Sequence, residues 1–142
     1  MLLSQHMDIL VIDGQGGGMG KQIISELKNQ YKDVNIIAVG TNSNATSAML
    51  KSGADKSATG ENPVVVCSRS ADIIIGPIGI VIADSMLGEV TEKMALSVAR
   101  SNAHRILVPV SHCDNNVVGV DNLTMKELVA AAVKKVGELL DK

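Results

Sequence analysis

Five glycines crowd one short segment near the start of this 142-residue chain. An apolar run at residues 9–12 precedes them, an amphipathic segment at residues 22–30 follows, and between the two lie Gly14, Gly16, Gly17, Gly18 and Gly20. This order predicts a strand, a tight turn and a helix, in which glycines let backbone amides approach a phosphate at the positively polarised helix start. We therefore expect a nucleotide phosphate here, with a turn that binds nothing as the alternative.

The spacing of these glycines distinguishes two dinucleotide-binding patterns. The GxGxxG pattern begins at Gly14 but fails, because Met19 stands at its third glycine. The wider GxxxGxG pattern is matched in full, although Asp13 stands where short-chain dehydrogenases usually have threonine. A basic residue, Lys21, sits at the predicted helix start, where it could reach a phosphate. The predicted cofactor-binding segment is Gly14, Gln15, Gly16, Gly17, Gly18, Met19, Gly20 and Lys21.

A second polar cluster follows the second predicted strand, residues 35–39. An NAD site ordinarily has Asp or Glu at this strand end to bind the adenosine ribose, whereas this chain has Gly40 followed by Thr41, Asn42 and Ser43. The missing carboxylate removes repulsion against a 2′-phosphate, so NADP is favoured over NAD and the three polar residues join the predicted site. Alternatively, Asn42 and Ser43 only cap the next helix.

Groups that could carry out catalysis are few. Carbonyl reduction by a short-chain dehydrogenase needs a Tyr-xxx-Lys pair, and the only tyrosine, Tyr31, has Asn35 four residues later. The densest run of reactive side chains, residues 111–114, would face the predicted crevice, and Asp84 is a lone charge in an apolar segment. The weak catalytic candidates are therefore Ser111, His112, Cys113 and Asp84.

The same run of residues raises the question of a metal. A metal site there would need further ligands such as Cys67 or His104, and no fixed zinc spacing is present. We therefore predict no metal site. Cys67 and Cys113 could pair in principle, but two free thiols are expected in a reducing compartment.

Apolar runs and helical periodicity alternate along the chain. Strands are predicted at residues 9–12, 35–39, within 54–58, and at 73–75, 105–110 and 117–120. Helices are predicted at residues 19–30, 45–52, 63–70 and 79–87, from the cap Thr91 to Arg100, and from the capping box of Thr124 and Glu127 to Leu140. This alternation predicts an α/β, Rossmann-like three-layer fold with a mostly parallel sheet and helices on both faces. Ligands bind at the carboxyl ends of such strands, which adds Gly76, Pro77 and Gly79 to the predicted cofactor site.

One segment admits two interpretations. Residues 64–67 are rich in valine and have strong strand propensity. However, the link at residues 68–72 is too short for a parallel crossover, which needs about a dozen residues. Asn62 as N-cap and Pro63 at the first helical position favour a helix over residues 63–70. A hairpin strand is the alternative.

Composition sets the class of protein. With 46% hydrophobic and 20% charged residues, the chain has a globular composition, and we expect one domain at residues 7–142 after a disordered extension at residues 1–6. A net charge of −2 and 1% aromatic residues argue against nucleic acid and membrane partners. The longest apolar stretch is too short to span a bilayer and no signal peptide is visible, so a cytoplasmic location is expected.

Several runs of sequence resemble a known family. These are VIDGQGGGMGKQ, AVGTNSNATSAMLKSGAD, ATGENPVV, ADIIIGPIGIVIADSMLGEVT and HRILVPV. Together they are similar to small bacterial proteins of domain-of-unknown-function family 3842, over nearly the whole chain from Met7 onward. The resemblance implies a Rossmann-like fold and assigns no catalytic residue.

Three functional hypotheses follow. The first is a protein that binds NADP or NAD, or another small-molecule nucleotide, as a sensor, a carrier or a partner subunit. The second is a small oxidoreductase-type enzyme that uses the loop at residues 111–114. The third is a ligand-free assembly module, a homo-oligomer with the apolar residues 73–87 at its interface.

Overall fold

An uninterrupted apolar strand near the N-terminus becomes the centre of the fold. The computed structural model describes residues 7–110, 115–120 and 122–141. Its strands are β1 Asp8–Asp13, β2 Asn35–Gly40, β3 Lys56–Thr59, β4 Ile73–Pro77 and β5 His104–Val108. Its helices are α1 Gly18–Gln30, α2 Ser43–Lys51, α3 Glu61–Ser70, α4 Glu92–Arg100 and α5 Met125–Leu140, and a 3₁₀ turn, Ile78–Val81, follows β4.

The sheet is parallel and has β1 in its middle. In the part of the chain that the structure describes, five strands pair in the order β3-β2-β1-β4-β5. Ile9 pairs with Ile36 of β2 on one side and with Ile73 of β4 on the other. All three side chains are fully buried, as expected for a strand covered on both faces. The predicted α/β fold with a mostly parallel sheet is confirmed.

Helices cover both faces of this sheet. Ile9 and Val11 pack into the apolar cluster formed with α1, α2 and α5. Leu10 and Ile12, which point the other way, pack into the cluster formed with α3 and α4. The strand order reverses between β1 and β4, so the chain leaves their carboxyl ends towards opposite faces. This reversal opens a crevice at that edge of the sheet.

The ambiguous valine-rich segment is a helix, as predicted. Helix α3 begins at Glu61, directly after Gly60, which has a φ of 105°. Asn62 and Pro63 therefore lie inside the first turn, not at its boundary as predicted, and proline is tolerated there because its amide needs no intrahelical partner. Val64 is buried against the sheet, so burial rather than strand pairing explains the run of valines.

The helix predicted at residues 79–87 is wrong. After the 3₁₀ turn the chain forms successive turns, and three of its non-glycine residues have positive φ, namely Asp84 (66°), Met86 (57°) and Leu87 (57°). Two causes lie in the sequence. Three consecutive β-branched residues at positions 80–82 reduce helix propensity, and the Gly79 carbonyl accepts the Ser85 hydroxyl at 2.5 Å in addition to the Ile82 amide at 3.0 Å.

The interface proposed for residues 73–87 is wrong for most of its length. Ile73, Ile74 and Ile75 are fully buried and Ile80 is 1% exposed, because β4 lies inside the sheet. Leu87 is the one large apolar side chain of this range that stands out into solvent, at 96% exposure. Formation of a homo-oligomer stays a prediction.

The strand predicted at residues 117–120 is also wrong. These residues form a turn in which Gly119 has a φ of 93°, and Val118 is 90% exposed. Strand β5 ends at Val108, so Pro109 lies outside it. The chain between β5 and residue 117 is shorter than the dozen residues that a parallel crossover requires.

The terminal helix begins as predicted. The Thr124 hydroxyl accepts the Glu127 amide at 3.1 Å, and the Glu127 carboxylate accepts the Thr124 amide at 2.9 Å.

Within residues 7–110, 115–120 and 122–141, no helix is long and apolar enough to cross a membrane.

The packing of the glycine turn against α2 can be tested with a matched pair of variants. Gly17 has a φ of 73°, and a Cβ there would lie 2.9 Å from the Cα and carbonyl oxygen of Ala45 in α2. We expect Gly17→Ala to lower the free energy of unfolding by about 1–3 kcal/mol, from backbone strain and displacement of α2. Urea unfolding measures the change.

The control is Gly18→Ala. A Cβ on Gly18 would meet no atom within 4 Å, and alanine is the better helix former by roughly 1 kcal/mol. This variant should be as stable as the parent or more so. Equal stability of the two variants would contradict the packing described.

Candidate functional site

A buried carboxylate shapes the glycine turn. Asp13, the last residue of β1, is 5% exposed. Its Oδ1 accepts the Gly14 amide and its Oδ2 accepts the Gly20 amide, each at 2.8 Å. The second bond ties β1 to the first turn of α1, where a negative charge is stabilised by the helix dipole. Asp13 therefore fixes the path of the loop and uses one of the free amides at the helix start.

Three amides of the turn are left without an acceptor. The Gly17 amide donates to the Gly14 carbonyl at 2.9 Å, and the Gln15 amide donates to Glu89 Oε1 at 2.9 Å. Among the residues that the structure describes, no acceptor forms a hydrogen bond with the amides of Gly16, Gly18 and Met19. A helix start with free amides attracts anions.

A cavity of about 210 Å³ opens beside these amides. Its far walls come from β4, the loop after β4, the segment after β5 and the start of α5. The side chains that form these walls are Pro77, Met86, Val110 and Met125, with Gln22 of α1 beside them. No lysine or arginine among the described residues lines it. Backbone amides and the helix dipole would therefore have to hold an anion, while the apolar walls would contact the rest of a ligand.

A second cavity, of about 490 Å³, continues this space past β5. The two cavities share Val110 and Met125 as lining residues. The second is also lined by Asn115, Asn116 and Leu128. The first cavity is smaller than the roughly 300 Å³ usual for a ligand site, so a nucleotide would have to extend into the second.

Glu89 is a site residue that the sequence did not indicate. It lies in the loop after β4, yet its Oε1 accepts the Thr41 hydroxyl at 2.6 Å and the Asn42 side-chain amide at 2.8 Å, in addition to the Gln15 amide. Burial alone would raise the pKa of Glu89, but these three hydrogen bonds together hold it below its usual value. The carboxylate is therefore ionised at neutral pH and bridges the loops after β1, β2 and β4.

Comparison with known proteins gives the family. The family model "Domain of unknown function (DUF3842)" matches residues 8–141. The chain belongs to this family. The resemblance seen in the sequence is thereby confirmed.

Two further comparisons add little about function. Among solved structures, the DUF3842 protein is similar to a dodecameric FMN-dependent Ubix-like decarboxylase from Escherichia coli O157:H7. The TM-score is 0.46 at 14% identity, over 96% of this chain and 95% of that chain. A likeness this distant carries no inference about ligand or assembly. A search of curated proteins gave no match.

The preference for NADP over NAD assumed that no carboxylate lies at the end of β2, and this assumption is wrong. A carboxylate does lie at the end of β2 in the DUF3842 protein, because Glu89 reaches it from another loop. Asn42 is also engaged as the N-cap of α2, where its Oδ1 accepts the Ala45 amide at 2.9 Å. Ser43 is the exposed first residue of α2. Thr41, Asn42 and Ser43 do not line the cavity at the glycine turn.

The other predicted cofactor residues divide into two groups. Pro77 lines the cavity. Lys21 lines grooves beside α2 and α5 and does not line the cavity. Gly76 and Gly79 are packing positions, since a Cβ on Gly76 would collide with the Ile12 carbonyl and one on Gly79 would lie 3.0 Å from Ser85 Oγ.

The predicted catalytic residues are not brought together among the described residues. Asp84 is an exposed turn residue whose amide donates to the Val90 carbonyl at 2.7 Å. Ser111, His112 and Cys113 lie outside the described residues, between Val110 and Asn115.

The further metal ligands considered in the sequence also lie apart. Cys67 is half-buried in α3, where burial raises the pKa of its thiol. His104 is the first residue of β5 and lies at the amino ends of the strands, whereas the glycine turn lies at their carboxyl ends. Among the described residues, no three His, Cys, Asp or Glu side chains are grouped closely enough to hold a metal ion.

The pH dependence of stability tests the Glu89 contacts. A lowered folded-state pKa means that these contacts stabilise the fold above about pH 4.5, the ordinary value, and that this contribution is lost as pH falls through the folded-state pKa. We expect Glu89→Gln to reduce the free energy of unfolding by about 1 kcal/mol at pH 7, with the difference from the parent shrinking at acidic pH.

Urea unfolding at several pH values measures this difference. Glu92→Gln is the control, because Glu92 is exposed in α4 and accepts no hydrogen bond from a described residue. A difference between Glu89→Gln and parent that stays constant down to pH 3 would show that the charge of Glu89 contributes nothing.

Proposed function

We propose that this protein binds a phosphate-bearing nucleotide at the glycine turn, with the phosphate on the amides of Gly16, Gly18 and Met19. The observation that supports this most is the group of three unpaired amides at the open end of α1, beside a cavity at the strand-order reversal. The biological role we infer is that of a sensor, a carrier or a partner subunit.

The walls of the cavity indicate the kind of nucleotide. Pro77 and Val110 are apolar, and the thioether side chains of Met19, Met86 and Met125 can adapt to the shape of a ring. No cation among the described residues lines the cavity. Inorganic phosphate should therefore bind weakly, and a ligand that couples a phosphate to a flat ring should bind more tightly.

A small enzyme is the second candidate. The segment at residues 111–114, with Ser111, His112 and Cys113, joins Val110 to Asn115. Val110 lines both cavities and Asn115 lines the second. A reaction on a bound ligand would draw its acid, base or nucleophile from this segment. An oxidoreductase-type activity is the form that the glycine pattern favours.

Calorimetric titration tests the binding site. The probes are inorganic phosphate, AMP, FMN, NAD and NADP, chosen because all carry phosphate and differ in the attached groups. We expect FMN and AMP to bind and to raise the melting temperature, since a ligand that binds the native state stabilises it by mass action. If none of the five binds, the proposed function is wrong.

A pair of variants then assigns the site. A side chain on Gly18 projects into open space, so both Gly18→Glu and Gly18→Gln should fold. They match in size and differ in charge. We expect the glutamate variant to bind AMP and FMN at least about tenfold more weakly than the glutamine variant, through repulsion of the phosphate. Equal affinities of the two variants for AMP and FMN would show that the amides of α1 do not bind the phosphate.

A further inference from the structure

The loop between the 3₁₀ turn and α4 folds back over the glycine turn. We refer to residues 82–90 as the strap. Its shape is held internally, since the Asp84 amide donates to the Val90 carbonyl at 2.7 Å and the Glu89 amide donates to the Met86 carbonyl at 3.1 Å. Three positive φ angles at non-glycine residues, at 84, 86 and 87, make its path sharply bent. Such backbone is kept where surrounding contacts determine it.

Two side chains of the strap cover the first glycine of the turn. A Cβ on Gly14 would lie 2.6 Å from Met86 Sδ, 3.0 Å from Glu89 Oε1 and 2.5 Å from the Thr41 hydroxyl. Nothing the size of a methyl group fits between the strap and the turn at this point. At the carboxyl ends of the strands, the strap therefore separates the region beyond β2 from the region beyond β4 and β5.

The two sides of this division differ. On the β4 and β5 side, Met86 forms one wall of the cavity that contains the free amides. On the β2 side, Glu89 holds Thr41 and Asn42, and neither residue lines that cavity. A dinucleotide bound across a strand-order reversal extends over both sides and places one nucleoside at the end of β2.

We propose that Glu89 is a specificity-determining residue, which closes the β2 side of the edge so that the glycine turn accepts nucleoside and flavin monophosphates and rejects dinucleotides. This inference rests on the proposed function, because it concerns the ligands of the same site. Two physical effects act together. The carboxylate engages the donors that would contact a second nucleoside, and its negative charge repels a 2′-phosphate at the same place. The order of affinity is therefore AMP and FMN first, NAD next and NADP last.

Calorimetric titration of the full chain with these four compounds tests the order. The parent protein should bind NAD at least about tenfold more weakly than AMP, which corresponds to about 1.4 kcal/mol. Glu89→Ala should raise the affinity for NAD relative to the affinity for AMP by about tenfold or more, because the AMP phosphate lies on the other side of the strap and gains less from the change. Glu92→Ala, which changes an exposed glutamate of α4, should change neither affinity.

A milder variant guards against loss of the fold in Glu89→Ala. Glu89→Gln keeps the size of the side chain and removes its charge, so it should narrow the gap between NADP and NAD. A melting transition recorded for each variant establishes that it is folded.

The outcomes separate the two proposals. If the parent binds none of the four compounds, the proposed function is overturned. If it binds AMP and NAD equally, or if the folded Glu89 variants gain no affinity for NAD or NADP, the role of Glu89 is overturned and the phosphate site stands.

Discussion

The geometry of this molecule depends on the two hydrogen bonds that the Asp13 carboxylate accepts from the Gly14 and Gly20 amides. They hold the end of the central strand against the first turn of α1, and they do so in a buried position. Since a carboxylate removed from water must be hydrogen-bonded, the loop has little freedom to take another path. Asp13 accepts one amide of the helix start. The amides of Gly16, Gly18 and Met19 donate to no described residue, and in the proposed site they donate to an anion.

Glu89 plays a comparable part on the outside of the same turn. It is a single side chain that joins the loops after β1, β2 and β4 through Gln15, Thr41 and Asn42. The Glu89 carboxylate is negative, so it weakens the attraction of the proposed site for a free dianion while it fixes the backbone that surrounds the turn. Affinity must therefore come from directed amide bonds and from contact with the apolar walls. This balance favours a ligand that has a ring as well as a phosphate.

Much of this fold could be predicted from the sequence, because its elements are specified locally. The run at residues 9–12, the capping box of α5 and the short link after α3 each correspond to a local physical rule. The strap was not predicted, because the apolar pattern of residues 79–87 suits a helix although the β-branched run at residues 80–82 opposes one. The contacts of Ser85 with Gly79 and of Met86 with Gly14 are made only in the folded chain. Glu89 was missed for a related reason. The rule for nucleotide sites looks for a carboxylate at the end of β2, whereas here the carboxylate comes from a loop nearly fifty residues later. The only available signal was that this loop follows β4, whose carboxyl end lies beside the carboxyl ends of β1 and β2.

The most direct measurement of the central claim is a two-dimensional ¹⁵N–¹H NMR titration of the protein with AMP. We expect the amide resonances of Gly16, Gly18 and Met19 to move the most, towards higher proton chemical shift, because these amides acquire a phosphate acceptor. The Gly14 and Gly20 resonances should move less, since both amides already donate to Asp13. Saturable shifts confined to other parts of the chain, or no shift at Gly16, Gly18 and Met19 at saturating AMP, would contradict a phosphate site at this turn.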